Sequence, residues 1–238
     1  MSRPAEPAPP GGWLSRFDRV ERALHWTTAG LFGFLILSGA ALYVPALSSL
    51  VNRRALVASL HVWCGVALLV PLLLSVVGPW GARTRDDLRR LNLWSAAERR
   101  WLRSFGRVSL PKQGKFNAGQ KLNAAFTLGA MVVMLGTGSV MHWFGPFPVS
   151  WRTGATFVHD ALATAVVAVV VGHIGFALTH RDALWSMLTG RIRAQWARAN
   201  APEWLEEERS AARAAPAPSA QTPAGSRSAV QPNSSTAL

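Results

Sequence analysis

The sequence is poor in cysteine and in acidic residues. Cys64 is the only cysteine among 238 residues, so the chain can form no internal disulfide and has no Cys-x-x-Cys-His motif for covalent haem attachment. There are 12 acidic residues against 25 lysines and arginines, giving a formal net charge of +13. The longest apolar blocks contain almost no charge, since three of the four have none and the fourth has only Asp160. Such blocks exclude an ordinary soluble helical bundle.

The four apolar blocks predict four transmembrane helices. They cover residues 27–44, 57–77, 122–141 and 157–178. Each block has about 18 to 22 residues, enough for a helix to cross a hydrocarbon layer of about 30 Å. The predicted fold class is therefore an all-α membrane protein built as a four-transmembrane-helix bundle.

The basic residues are concentrated on one side of the predicted membrane. The opposite loops contain only Arg53, Arg54 and Arg152. By the positive-inside rule, both termini face the cytoplasm (N-in/C-in). A nucleic-acid-binding protein would instead place these charges on a folded soluble module, and none is left in the chain. The basic residues of the predicted cytoplasmic segments are Arg3, Arg16, Arg19, Arg22, Arg83, Arg85, Arg89, Arg90, Arg99, Arg100, Arg103, Arg107, Lys112, Lys115, Lys121, Arg181, Arg191, Arg193 and Arg198.

The composition divides the chain into three parts. Residues 1–15 form a Pro-rich leader and residues 209–238 an Ala/Pro/Ser-rich tail, and both are predicted to be disordered. Residues 16–208 form the four-helix domain. Between the second and third transmembrane helices, residues 86–105 place leucines and aromatics among arginines. This pattern predicts a basic amphipathic helix that lies on the cytoplasmic leaflet or on a partner subunit.

Four histidines fall at two depths of the predicted bundle. His61 and His159 lie near the outer ends of their helices, whereas His25 and His173 lie near the cytoplasmic ends. His159 and His173 are 14 residues apart on one helix, a rise of roughly 21 Å at about 1.5 Å per residue. That separation is about 40° short of four full turns, so both rings face the same way.

Two histidines at each depth favour two bis-histidine b-type haems, which carry electrons because the iron has no open position. A copper or zinc site would instead gather three or four ligands at one depth. His142 is interpreted as an interfacial residue and His180 as a solvated one. Glycines that would let a porphyrin approach the helices are also common in transmembrane helix packing; they are Gly33, Gly39, Gly65, Gly172 and Gly175.

Several sequence elements resemble a known family. These are RALHWTTA, SLHVWCGV, GKFNAGQK, VHDALATAVVAVVVGHIGFAL and SMLTGRIRAQWARANAPEW. Over about residues 16–204, they resemble the cytochrome b556 gamma subunit of respiratory formate dehydrogenase. The element GKFNAGQK, which enters the third helix, is the most specific, because other four-helix dihaem cytochromes share the histidines but not this element.

The resemblance implies the roles of particular residues. It assigns His61 and His159 to the iron of the outer haem, and His25 and His173 to the iron of the inner haem. It also implies a menaquinone or ubiquinone site beside the inner haem, to which His173 contributes together with Asn117, Gly119 and Gln120. Considered on their own, Asn117 and Gln120 could donate to a quinone carbonyl or could simply cap a helix. Lys115 and Lys121 lie where protons would enter from the cytoplasm.

The implied function is that of a multi-pass subunit of the bacterial inner membrane. It would take electrons from a periplasmic iron–sulfur beta subunit and pass them to quinone on the cytoplasmic side. The chain has no Cys-rich cluster motif and no molybdopterin-sized domain, so a molybdenum or tungsten alpha subunit would oxidise formate. The alternatives are the equivalent subunit of a nickel-iron hydrogenase or another quinone-linked oxidoreductase, a haem-free anchor, and a metal-handling or transport protein.

Overall fold

The computed structural model describes residues 12–77, 82–108 and 114–214, and this part of the chain is almost entirely helical. Only two short strands interrupt the helices within it. The elements are β1 Trp13–Ser15, α1 Arg19–Tyr43, α2 Pro45–Ser48, α3 Arg54–Ala67, α4 Leu69–Val76, α5 Ala82–Asn92, α6 Ala96–Arg103, α7 Ala118–His142, α8 Val149–Thr179, α9 Arg181–Thr189, β2 Arg191–Arg193, α10 Ala194–Asn200 and α11 Pro202–Ala214.

Four helical segments are long and apolar enough to cross a membrane, which confirms the four predicted transmembrane helices. They are Arg19–Tyr43, Arg54–Leu74, Ala118–His142 and Val149–Thr179. α1 packs against α3, and α7 packs against α8. Large apolar side chains point outward on these helices; Leu37 and Phe157, for example, are 72% and 74% exposed. Such an apolar exterior suits lipid rather than water.

α1 and α7 begin before their apolar blocks because polar residues cap their first turns. At the start of α1, the Asp18 carboxylate accepts the Glu21 N–H at 2.8 Å, and the Glu21 carboxylate accepts the Asp18 N–H at 2.6 Å. This capping box satisfies two N–H groups that the first helical turn would otherwise leave unpaired. The first transmembrane helix therefore begins at Arg19, eight residues before its apolar block.

The second transmembrane segment is two helices rather than one. α3 ends at Ala67, Leu68 forms a turn, and α4 begins at Leu69. Pro71 explains the break, because proline has no N–H to donate to the carbonyl four residues earlier and its ring crowds that carbonyl. The Leu68 N–H is shared between the carbonyls of Cys64 and Gly65, which tightens the helix at this point.

The connection between the second and third transmembrane helices also differs from the prediction. Residues 86–105 do not form a single amphipathic helix, since α5 ends at Asn92 and α6 begins at Ala96. The break occurs because Ser95 caps α6 by accepting the Glu98 N–H at 3.1 Å. α5 packs against α4 and α7, and α6 packs against α7. Residues 78–81 and 109–113, which include Lys112, lie outside the described residues.

The two ends of the described chain meet in a small folded unit, here called the polar end. β1 pairs antiparallel with β2, with Trp13 opposite Arg193. Its core consists of buried residues from β2, α10 and α11, namely Ile192, Ala197, Ala201, Trp204 and Leu205. At the turn before β2, Gly190 has φ +82°, and a Cβ there would lie 2.5 Å from the Phe17 carbonyl oxygen. Only glycine fits this position.

The polar end includes residues beyond both predicted domain boundaries. Residues 13–15 of the predicted leader form β1, which pairs with β2. Residues 209–214, assigned to the tail, continue α11 beyond its buried Trp204 and Leu205. The rest of the predicted leader (1–11, with Arg3) and of the predicted tail (215–238) lies outside the described residues.

Candidate haem and quinone sites

Two histidines from different helices face each other in the half of the bundle away from the polar end. His61 lies on α3 and His159 on α8. Their ring centroids are 6.4 Å apart and their planes are inclined by 61°. These two histidines are here called the outer pair, and they are the same two that the sequence predicted to lie at one depth.

A second pair of histidines lies nearer the polar end. His25 on α1 and His173 on α8 have ring centroids 6.4 Å apart and an interplanar angle of 52°. Because α8 carries a histidine of each pair, the two pairs are separated by roughly 21 Å along its axis. This inner pair matches the second predicted depth.

Both pairs have the separation that an iron between two imidazoles requires. A metal to imidazole-nitrogen bond is about 2.0 to 2.1 Å long and the ring centroid lies about 1.1 Å behind the nitrogen, so the centroids of two opposed ligands are about 6.2 to 6.4 Å apart. The observed 6.4 Å agrees in each pair. The four histidines therefore fit the axial ligation of two b-type haems, and the assignment of each ligand stays a prediction.

A hydroxyl group contacts each ring of the outer pair. Ser38 Oγ lies 2.8 Å from His61 Nδ1, and Thr137 Oγ1 lies 3.0 Å from His159 Nδ1. Each hydroxyl also donates to the carbonyl four residues earlier on its own helix, that of Phe34 for Ser38 and that of Val133 for Thr137. Among the described residues, neither ring of the inner pair forms a hydrogen bond.

Glycines beside these hydroxyls allow the rings to approach the helices. A Cβ at Gly39 would lie 3.4 Å from His61 Cε1, and one at Gly138 would lie 3.4 Å from His159 Cε1. Gly39 was among the glycines singled out in the sequence, and Gly138 was not. Of the others, Gly65 would contact only Leu35, and the remaining three would meet no atom of the described chain within 4 Å. The three are Gly33, Gly172 and Gly175.

The other two histidines lie away from both pairs. His142 is exposed and packs edge-on against its neighbour Trp143, with ring centroids 4.9 Å apart. His180 is also exposed and stacks on Phe176 at 3.8 Å. In the described ranges, no group of three or more His, Cys, Asp or Glu residues could hold a metal ion. This arrangement is unlike a copper or zinc site, which would gather several ligands.

The polar stretch before the third transmembrane helix forms a capping box at the start of α7. Asn117 Oδ1 accepts the Gln120 N–H at 2.9 Å, and Gln120 Oε1 accepts the Asn117 N–H at 3.0 Å. The capping role predicted as one alternative is thus present for both amide oxygens. Within the described chain, the amide nitrogens of the two side chains have no protein acceptor. Gly119 between them is exposed.

A buried charge cluster lies next to this stretch. Lys115 Nζ is 2.5 Å from the Asp87 carboxylate and 3.2 Å from the Glu21 carboxylate, and all three side chains are at most 13% exposed. Burial, together with a hydrogen bond to Glu21, raises the pKa of Asp87 to about 7. Arg16 donates to the Lys115 carbonyl at 3.2 Å and lies over the Trp196 ring. Burial lowers the pKa of this guanidinium to about 10.

Lys121 is also held in a buried ion pair. Its Nζ lies 2.6 Å from Glu98 and 2.7 Å from the Leu93 carbonyl oxygen. Burial acts to raise the pKa of Glu98, but hydrogen bonds from Lys121 and from the Ser95 N–H keep it below its usual value. Lys115 and Lys121 both form ion pairs with residues of other elements, and their position at a proton entry stays a prediction. Asp87 is the group here whose pKa lies near neutrality.

Sequence reasoning missed four residues at these sites. Ser38 and Thr137 each precede a glycine in an apolar helix, a signal that is visible in the sequence but also common in helix packing. Glu21 stands four residues before His25, and Asp87 lies in the arginine-rich connection. Their roles depend on which helices are neighbours, which the sequence does not state.

Comparisons with known proteins agree with the motif resemblance. The chain is similar to the cytochrome b556(fdo) subunit of formate dehydrogenase from Escherichia coli (strain K12), with 24% identity over 208 residues covering 82% of this chain and 93% of the relative. The nitrate-inducible cytochrome b556(Fdn) subunit of the same strain is 24% identical, with 82% and 91% covered. A formate dehydrogenase cytochrome b556 subunit from Haemophilus influenzae is 23% identical, with 82% and 83% covered.

The family assignment rests on a match over most of the chain. The prokaryotic cytochrome b561 family matches residues 16–190, which include all four transmembrane segments and both histidine pairs. The paired histidines and the single cysteine are both consistent with the non-covalently bound b-type haem of this family. The chain therefore belongs to the prokaryotic cytochrome b561 family and is a multi-pass membrane protein.

Proposed function

We propose that the chain is the membrane cytochrome b subunit of a formate dehydrogenase complex. In this role it transfers electrons from a periplasmic iron–sulfur subunit to quinone at the cytoplasmic side of the membrane. The observation that carries the proposal is the two histidine pairs with ring centroids 6.4 Å apart, placed toward opposite ends of one four-helix bundle. The named relatives, which are formate dehydrogenase subunits, supply the choice of complex.

The four histidines hold two haems in this proposal. His61 and His159 would hold the iron of the outer haem, and His25 and His173 would hold that of the inner haem. Bis-histidine haem b supplies reversible one-electron transfer without an open coordination position. Because α8 carries a histidine of each pair, this one helix would set the spacing between the two haems.

The quinone site lies beside the inner pair, at the start of α7. The capping box uses the amide oxygens of Asn117 and Gln120, so their amide nitrogens can each donate to a quinone carbonyl. Gly119 lets the quinone ring approach the backbone, and His173 borders the site. Menaquinone and ubiquinone both carry carbonyl oxygens that suit these donors. Asp87, with a pKa of about 7, can hold a proton on the same side of the bundle.

The membrane orientation and the partners complete the proposal. Arginines and lysines are concentrated at the polar end and in the α5–α6 connection, so the positive-inside rule places both termini in the cytoplasm of a bacterial cell. The outer pair then faces the periplasm, where the iron–sulfur beta subunit would donate electrons. A molybdenum or tungsten alpha subunit would oxidise formate. Copurification with a hydrogenase large subunit instead would contradict this choice of complex.

Haem content of the purified protein tests the ligand assignment. Pyridine haemochrome analysis should give two b-type haems per chain. His61→Ala should remove one haem and leave the other with its normal spectrum, because the outer pair would lose one of its two ligands. The control His142→Ala should retain both haems, since His142 is exposed and lies away from both pairs. Loss of a haem in His142→Ala with full retention in His61→Ala would show that the outer pair is wrongly assigned.

A further inference from the structure

The hydroxyl groups of Ser38 and Thr137 fix which nitrogen of each outer histidine carries a proton. A hydroxyl has one proton, and Ser38 donates it to the Phe34 carbonyl at 2.7 Å while Thr137 donates to the Val133 carbonyl at 2.8 Å. Each oxygen can then only accept from the neighbouring imidazole. Nδ1 therefore carries the proton in His61 and His159, and Nε2 has the free lone pair.

We propose that Ser38 and Thr137 are positioning residues that lower the midpoint potential of the outer haem below that of the inner haem. This inference rests on the proposed function, because it takes His61 and His159 as the ligands of that haem. A ligating imidazole that donates its other N–H becomes a more basic ligand. Greater electron donation to the iron stabilises its oxidised form, and so the haem becomes harder to reduce.

The inner pair lacks this arrangement. Within the described residues, the ring centroids of His25 and His173 are 6.4 Å apart, and neither ring donates to a protein oxygen. The two haems would therefore differ in ligand basicity although both have two histidine ligands. A lower potential on the outer side would favour electron flow toward the inner side, which is the direction that the proposed function requires.

The same arrangement occurs twice, on two different helix pairs. Ser38–Gly39 of α1 holds the histidine of α3, and Thr137–Gly138 of α7 holds the histidine of α8. Hydroxyls commonly donate to the carbonyl four residues earlier in membrane helices. Three threonines of α8 donate in this way without contacting a histidine, so this hydrogen bond alone does not indicate the proposed role. They are Thr153, Thr156 and Thr164.

A potentiometric titration of the haem absorbance tests the inference in the purified, haem-loaded protein. Ser38→Ala and Thr137→Val remove the hydroxyls with little change in size. Each substitution should raise the midpoint potential of the outer haem. At a fixed ambient potential, the ratio of reduced to oxidised outer haem should then increase about tenfold. For one electron, that ratio corresponds to about 59 mV. Ser38→Thr and Thr137→Ser keep a hydroxyl and should restore wild-type titrations.

Two further variants make the result specific. His61→Ala identifies the outer component, because the component that it removes should be the one that Ser38→Ala shifts. Thr164→Ala removes a hydroxyl from α8 away from both pairs and should shift neither component. If the wild type binds two haems but neither hydroxyl variant shifts the outer component, the inference is wrong while the proposed function stands. If the wild type binds no haem, both are wrong.

Discussion

At the scale of single residues, Asn117 caps α7 and, in the proposed function, also donates to quinone, two roles that the sequence presented as alternatives. A carboxamide has an oxygen and a nitrogen that act independently. Its oxygen accepts the Gln120 N–H and caps α7, whereas its nitrogen has no acceptor in the described chain. The helix cap and the proposed quinone donor can therefore be separated by substitution.

Replacing Asn117 should affect quinone chemistry through the nitrogen alone. Asn117→Ser keeps an oxygen that can cap α7 but removes the amide donor. We expect both haems to stay bound and reducible by formate through the partner subunits, while quinone binding weakens by about 1 to 3 kcal/mol, or about one to two orders of magnitude. Rapid-mixing absorbance of the haem band measures the slower reoxidation by added quinone.

The comparison with Asn117→Ala separates the two roles further. This variant loses the cap as well, and so its free energy of unfolding should be about 1 kcal/mol lower than that of Asn117→Ser. If Asn117→Ser reoxidises at the wild-type rate, Asn117 is a cap only, and the quinone binds elsewhere.

The histidine pairs were predictable from the sequence, whereas their hydroxyl partners were not. Helical rise and topology are enough to place His25 with His173 and His61 with His159 at matching depths. The contacts of Ser38 and Thr137 depend on the orientation of α1 and α7 about their own axes, relative to the helices that they pack against. That rotation is set by close packing between helices, which residue spacing along one helix does not determine.

At the scale of elements, the Glu98–Lys121 ion pair joins α6 to α7. Both side chains are about one-tenth exposed, and Lys121 also donates to the Leu93 carbonyl just before α6. Removing one partner of a buried pair leaves the other charge without compensation. This contact therefore contributes to stability mainly by keeping the Lys121 ammonium paired.

Glu98→Gln should destabilise the protein measurably. The substitution retains the shape and a capping oxygen but leaves Lys121 without a countercharge, at a cost of about 1 to 3 kcal/mol. Thermal unfolding followed by tryptophan fluorescence reports the loss. Because the folded-state pKa of Glu98 lies below its ordinary 4.5, the wild type should lose the same contribution as the pH falls below that value.

Glu206→Gln is the matched control for this substitution. Glu206 pairs with Arg209 and Arg213 on α11, but its side chain is 63% exposed. Exposed pairs contribute little, so this variant should unfold close to the wild type. If Glu98→Gln and Glu206→Gln unfold at the same temperature, the buried α6–α7 ion pair contributes no more to stability than an exposed pair.

The connecting elements were less predictable than the transmembrane helices. Long apolar blocks identify α1, α7 and α8 because a bilayer demands about 20 apolar residues. The split of residues 86–105 into α5 and α6 follows from one serine that caps a helix in the middle of an amphipathic pattern. The β1–β2 pair links segments far apart in sequence, and no local pattern in Trp13–Ser15 indicates its partner.

At the scale of the whole molecule, the strand pair places both ends of the described chain on one side of the bundle. β1 precedes α1 and β2 follows α9, and they pair residue by residue. In the proposed orientation this side faces the cytoplasm, because it carries most of the arginines. The linker around Ser49, between α2 and α3, would then face the periplasm.

Cysteine labelling of intact cells tests this orientation. In a Cys64→Ser background, Ser49→Cys should react with a membrane-impermeant maleimide added outside the cytoplasmic membrane. Arg107→Cys, at a residue that is also exposed but lies in the α6–α7 connection, should react only after the membrane is permeabilised. The reverse pattern of labelling would exchange the assignments of the outer and inner pairs to the two faces of the membrane.

The β1–β2 pair also dictates an order of assembly. β1 leaves the ribosome first, but its partner strand follows all four transmembrane helices in the chain. At about 5–20 residues per second, synthesis of the intervening segment takes on the order of 10 s or more. During that time β1 has an unpaired edge, because its partner strand is synthesised only after the last transmembrane helix. Closure of this small sheet is thus a late step in biogenesis.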